Sequence, residues 1–113
     1  MSGSGISSAL LSLSLLFLEP CVAATHAAAA ATTHTVTIEN MKFNPAMLSV
    51  HRGDRIVWVN KDLFPHTVTS DNNGFDSGSI APGASWTYDM KATGTLSYTC
   101  AFHPSMKGSM EVK

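Results

Sequence analysis

Leu96-Ser97-Tyr98-Thr99-Cys100-Ala101-Phe102-His103-Pro104-Ser105-Met106 is the stretch on which the reading of this chain turns. Its first half alternates. Leu96, Tyr98 and Cys100 share one face, with Ser97 and Thr99 opposite, the period of a half-buried β-strand. Its second half leaves that period for a stiff apolar loop. From Cys100 to Met106 a thiol, an imidazole and a thioether fall within seven residues. A buried free cysteine is common in a core, but the purely structural reading of Cys100 weakens once His103 and Met106 are added.

Working outward, the same period of two recurs along the chain. Val36 and Ile38 alternate with Thr35 and Thr37, and Leu48 and Val50 with Ser49 and His51. Arg55-Ile56-Val57-Trp58-Val59-Asn60 is apolar on both faces, as a central strand would be. Trp86, Tyr88 and Met90 share a face, and Met110 and Val112 close the chain as a last strand. Between them stand turn formers: Arg52-Gly53-Asp54, Ala81-Pro82-Gly83-Ala84, and a loop over Asp71–Ser79 in which Phe75 is expected to tuck inward. Short strands, frequent turns and no helical period point to an all-β antiparallel sandwich or barrel.

The chain has 113 residues, enough for one small domain. Only 13% of residues are Asp, Glu, Lys or Arg and the formal net charge is −1. There is no basic stripe, which speaks against a nucleic-acid partner. Residues 1–24 read as a secretory signal. The apolar run Ala9–Leu18 is too short to span a bilayer, and Val22 and Ala24 stand where a signal peptidase expects small residues. No Lys or Arg precedes that run. Residues 25–33 are an Ala/Thr-rich linker, and residues 34–113 form the folded domain. Cleavage after Ala24 removes Cys21 and leaves Cys100 alone. An odd thiol in an oxidising compartment calls for an occupant, and a metal is the natural one. A Cys21–Cys100 disulfide in an uncleaved chain, or a lipid on Cys21, are the lesser alternatives.

Two soft sulfur donors and an imidazole on a tight loop select a soft or borderline metal, copper above all. Met106 is better placed to be the thioether ligand than Met110, which is in phase with Val112 and reads as core. Met41, Met47 and Met90 read as packing residues. A trigonal site needs a second imidazole. His26 falls in the segment to be removed or in the linker, His34 at a frayed strand start, and His51 beside an exposed turn. By elimination His66, in Phe64-Pro65-His66-Thr67-Val68, is the second imidazole.

Cys100-x-x-His103-x-x-Met106 with an upstream Pro65-His66 resembles the cupredoxins, the type 1 blue copper proteins, with the short His-to-Met spacing of the amicyanin branch. Gly53-Asp54 ahead of Val57-Trp58-Val59-Asn60, and Tyr98-x-Cys100, add to the likeness, which covers about His34 to Lys113. The resemblance implies a Greek-key sandwich of eight or so strands with one copper ion at one end. It implies His66, Cys100 and His103 as equatorial ligands and Met106 as the axial one. It further implies a one-electron Cu(I)/Cu(II) shuttle in the periplasm. The carrier would be a monomer with no stable membrane insertion after cleavage. It would exchange electrons with donor and acceptor proteins docking near His103, through an apolar surround of Phe64, Pro65, Pro104 and Met47. Two departures stand out. Thr67 replaces an Asn that ties the two ligand segments together in many relatives, and a hydroxyl can make that bond with shorter reach. Ala101-Phe102 replaces Thr-Pro, so Phe102 retains an N–H that is expected to donate to the Cys100 sulfur.

The competing function is a copper-binding module for storage or delivery, for which exposed, exchangeable ligands are expected. A multicopper enzyme needs a second metal constellation that this short chain does not have. Zinc would accept the Cys and His donors, but a thioether is not a typical zinc ligand. A metal-free adhesion module leaves Cys100 unexplained.

Overall fold

A computed structural model describes residues 2–5, 9, 12–20 and 30–113. Cys21, the expected cleavage point after Ala24 and His26 lie outside the described residues. The folded part holds eight strands: β1 (Thr33–Glu39), β2 (Lys42–Asn44), β3 (Met47–Val50), β4 (Arg55–Asn60), β5 (Thr69–Ser70), β6 (Ser85–Asp89), β7 (Gly94–Cys100) and β8 (His103–Val112). They form two four-stranded sheets, ordered β2-β1-β4-β6 and β3-β8-β7-β5. No helix among the described residues is long and apolar enough to cross a membrane.

The all-β sandwich expected from the alternation is what the chain adopts. The antiparallel expectation is corrected at two of the six ladders, because β1–β4 and β3–β8 run parallel. Strands joined by short turns lie side by side antiparallel, as β7–β8 do. The two parallel pairs instead join strands distant in the chain, which periodicity alone does not pair. β1 begins at Thr33, one residue before the expected His34. His34 is not frayed: it pairs with Ile56 in the ladder, and its Nε2 lies 2.9 Å from Asp54 Oδ2.

The core lies between the sheets. Val36, Ile38, Ile56 and Trp58 face it from one sheet, and Val50, Tyr98, Cys100, Met110 and Val112 from the other. Trp58 stands edge-on to Tyr98 with ring centroids 5.6 Å apart, and Phe43 meets Tyr98 in the same manner at 4.8 Å. Such edge-to-face pairs add about 0.5–1.5 kcal/mol beyond burial. Phe75 does tuck inward. From the 71–79 loop it covers Trp86 and Tyr88, at 5.8 and 4.7 Å. Met90 is packed as expected, but Met41 and Met47 are exposed. Met41 sits in the β1–β2 turn and Met47 at the start of the edge strand β3, so neither has a second layer above it.

Two details of this frame bear on one end of the sandwich. Gly108 is paired with Tyr98, and a β-carbon on Gly108 would collide with the Tyr98 ring, lying 2.6 Å from Cε2 and still nearer Cζ and Oη. Only glycine allows the aromatic ring to cross β8 there. The β1–β2 turn places Asn40 and Met41 at φ of 55° and 59°. That is the left-handed region, which costs a side-chain-bearing residue about 1–2 kcal/mol. The turn therefore needs support from outside itself.

Candidate metal centre

The centre lies where β7 ends, β8 begins and the chain between β4 and β5 crosses the same end of the sandwich. Cys100 is the last residue of β7 and pairs with His103, so Ala101-Phe102 form a two-residue turn. Neither takes a positive φ; among the described residues only Asn40, Met41 and Asn73 do so without being glycine. The turn is thus not of the primed type that keeps two strands closely paired. The ladder opens at once. Thr99 pairs with Lys107 while Cys100 pairs with His103, which leaves Pro104, Ser105 and Met106 as extra residues on β8. Proline has no N–H for the ladder, so an irregularity at Pro104 follows from its chemistry. The ligand loop expected from Cys100 to Met106 is therefore built as a strand end, a tight turn and a bulge.

His66 comes from the other side. Its backbone forms a two-way bridge with Ile80, His66 N–H to Ile80 carbonyl at 3.1 Å and Ile80 N–H to His66 carbonyl at 2.7 Å. Asn60, fully buried, fastens the approach: its amide donates to the carbonyls of Phe64 at 2.7 Å and Ile80 at 3.0 Å. Its side-chain oxygen accepts from the Asp62 N–H at 2.9 Å. Nothing local in the sequence marks this role for Asn60, which the alternation shows only as the end of a strand.

The side chains then meet. Cys100 Sγ lies 3.7 Å from His66 Nδ1 and 3.8 Å from His103 Nδ1, and the three donor atoms lie within 4.8 Å of one another. For metal–sulfur and metal–nitrogen bonds of about 2.3 and 2.05 Å, a trigonal angle separates sulfur from nitrogen by about 3.8 Å. The donor set fits a single soft ion. His66 and Cys100 are wholly buried and His103 is half-buried. Met106, from the bulge, is buried at 3% exposure, and Met110 further along β8 at 1%. His34 is engaged by Asp54 and His51 is exposed, so the structure brings neither to the cluster.

Hydrogen bonds around the donors tie the two segments together. The Thr67 N–H donates to Cys100 Sγ at 3.3 Å. The Ala101 N–H donates to Thr67 Oγ1 at 2.7 Å. Thr67 thus makes the cross-tie that its position suggested, through a hydroxyl. That hydroxyl also contacts Thr69 Oγ1 at 3.0 Å, which donates to Asp76 Oδ1 at 3.2 Å. The expected donor Phe102 is not the one that reaches the sulfur; the Thr67 N–H is. The turn carries the Phe102 ring outward, 51% exposed.

Asp62, which the sequence did not single out, completes the surroundings. His66 Nε2 lies 2.8 Å from Asp62 Oδ2. The same carboxylate accepts from the N–H groups of Asn40 at 2.7 Å and Met41 at 3.0 Å. Burial pushes its pKa up. The Met41 N–H, the His66 ring and the Asn40 N–H outweigh that and hold it below the ordinary carboxylate value. Asp62 is therefore an anion at neutral pH.

Comparison with known proteins agrees with this geometry. Residues 9–112 match the family model described as a cupredoxin-like domain. A plastocyanin of Scenedesmus fuscus is 30% identical over 84 residues, covering 63% of this chain and 86% of that protein. Amicyanin-alpha of Methylorubrum extorquens is 32% identical over 83 residues, covering 69% and 70%. Among solved structures, a Cu(I) form of an amicyanin mutant superposes with a TM-score of 0.67 at 26% identity, over 74% of this chain and 82% of that one.

Proposed function

Because the chain belongs to the cupredoxin-like family, we propose that it is an exported, periplasmic blue-copper electron carrier, monomeric and without a catalytic step of its own. The observation that carries this reading is the convergence of two imidazole nitrogens and one cysteine sulfur on a single buried point. His66, Cys100 and His103, with Met106 from the bulge, would hold the ion. When bound, copper supplies one-electron exchange between Cu(II) and Cu(I).

The rest is done by the chain. Cys100 ligates as a thiolate and both histidines as neutral imidazoles, and the Thr67 N–H turns its dipole on the sulfur. The Thr67–Ala101 bond and the His66–Ile80 bridge hold the donors in one arrangement whatever the charge of the ion. That lowers the rearrangement each electron transfer requires. Burial of His66 and Cys100 keeps water from the ion and disfavours exchange, which supports a kept metal over one in storage or delivery.

His103 alone reaches the surface. Phe102 and Pro104, its neighbours in the chain, are exposed, as are Phe64 and Pro65 ahead of His66, and Met47 on β3. Donor and acceptor proteins dock on this apolar end. A net charge of −1 gives little long-range steering, so contact is made through apolar area. The signal-like residues 1–24 support export.

Optical titration of the protein with Cu(II) tests the proposal. An intense visible thiolate-to-copper band saturating at one equivalent, bleached by ascorbate and slow to yield copper to a chelator, is expected. Weak or multiple binding without that band would sink it, and rapid loss to the chelator would favour delivery.

A further inference from the structure

We propose that Asp62 is a positioning residue of the metal centre, holding His66 as the Nε2–H tautomer with Nδ1 free for the metal and favouring the oxidised ion. This rests on His66 being a ligand.

The geometry is specific. An ionised carboxylate only accepts, so the ring nitrogen 2.8 Å from Asp62 Oδ2 must carry the proton. That leaves Nδ1, the atom 3.7 Å from Cys100 Sγ, with its lone pair. The carboxylate cannot swing away. Asn40 N–H donates to Oδ1, and Met41 N–H donates to the same Oδ2 that faces His66. Asp62's own N–H is tied to Asn60 Oδ1 at 2.9 Å. The side chain is 12% exposed, so its charge is only partly screened by water.

Two of these donors come from the left-handed β1–β2 turn, more than twenty residues upstream. One carboxylate therefore fastens a strained turn on one side and orients a buried imidazole on the other. The turn is where it is because β1 runs parallel to β4, with Ile38 opposite Asn60 and the Lys61 N–H donating to the Ile38 carbonyl at 2.8 Å.

The chemical consequence has a sign. A carboxylate accepting from the far nitrogen of a ligating histidine makes the near nitrogen a stronger donor. Its negative charge also interacts more favourably with a doubly charged ion than with a singly charged one, and more so away from bulk water. Both effects favour Cu(II) over Cu(I) and lower the reduction potential.

The test uses the whole protein and three readouts: the midpoint potential, Cu(II) and Cu(I) affinities by chelator competition, and the ring ¹⁵N shifts of His66 in copper-free protein. In Asp62→Ala the Cu(II) affinity is expected to fall by about 10–100-fold, the usual loss for such an outer partner. Cu(I) affinity should fall less. Each tenfold difference between the two losses raises the midpoint by about 59 mV. Asp62→Asn, which can still accept from the ring but carries no charge, should also raise it. In the wild type the ring shifts should report Nε2–H with Nδ1 unprotonated.

Equal losses for both oxidation states, with an unmoved potential, would reduce Asp62 to a structural role and overturn the proposal. So would a wild-type His66 protonated at Nδ1, a result that needs no variant and decides the matter even if Asp62→Ala does not fold. A visible band that survives in His66→Ala would instead overturn the ligand assignment beneath it.

Discussion

Gly108→Ala adds one methyl group at the most crowded point of the β7–β8 ladder. The new β-carbon would meet Cζ, Oη and Cε2 of Tyr98, the last at 2.6 Å, far inside contact distance. Tyr98 cannot move aside freely. It is 1% exposed, and Phe43 and Trp58 press on it edge-to-face at 4.8 and 5.6 Å. Overpacking a filled core typically costs about 1–3 kcal/mol and occasionally more, and the rigid aromatic neighbours put this case at about 3. For a domain of this size that lowers the melting temperature by about 12–24 °C. Relief has to come from parting β7 and β8, and Tyr98 stands two residues before Cys100. The visible copper band should therefore weaken or shift as well. The assay is urea unfolding of wild type, Gly108→Ala, Tyr98→Leu and the double variant. The double variant should be more stable than the sum of the single losses, because the smaller side chain makes room for the methyl. A Gly108→Ala protein within about 0.5 kcal/mol of wild type, the range of a neutral surface change, with an unchanged band, would refute the argument.

Other perturbations separate the remaining parts. Thr67→Ala removes the 2.7 Å acceptor of the Ala101 N–H and should cost about 0.5–1.5 kcal/mol, read by denaturant unfolding. Thr67→Ser, which keeps the hydroxyl, should lose markedly less. Cys100→Ser should abolish the intense visible band while leaving the circular dichroism of the sheet sandwich in place; a persisting band would exclude Cys100 as ligand. Asp54 gives a pH signature remote from the metal. The His51 N–H, the His34 ring and the Thr32 N–H lower its pKa from 3.8 to about 2. A depressed carboxylate contributes stability that is complete above its unfolded pKa and is lost as pH falls through the folded one. The stability gap between copper-free wild type and Asp54→Asn should accordingly be fully present at about pH 4 and shrink as pH falls towards 2. A gap that does not change over that window would count against the assignment.

The gathering of His66, Cys100 and His103 was legible along the chain because a soft donor set is a matter of residue type, and residue type is local. Cys100 and His103 lie three apart and meet through one turn. His66 is distant, but trigonal chemistry asked for a second imidazole and the other histidines stood in poorer places. Asp62 left no comparable trace. A carboxylate in a loop is ordinary, and its partners Asn40 and Met41 lie more than twenty residues away. Gly108 likewise reads as one glycine in a strand until Tyr98 is known to cross it.

The division follows the range of the physics. What is local can be read along the chain: strands from the period of two, turns from Gly53, Pro82 and Gly83, the inward face of Tyr98 and Cys100, and the soft donor set. These depend on side-chain alternation and residue chemistry, which act over a few positions. The closed sandwich is needed to fix the parallel pairing of β1 with β4 and of β3 with β8, the opening of the ladder over Pro104–Met106, the Thr67 rather than Phe102 N–H as the donor to sulfur, and the reach of Asp62 to His66. Each of these is a hydrogen bond or a register between residues far apart in the chain. Partners of that kind are chosen by how the two sheets close over a common core, and no short window of sequence encodes that choice.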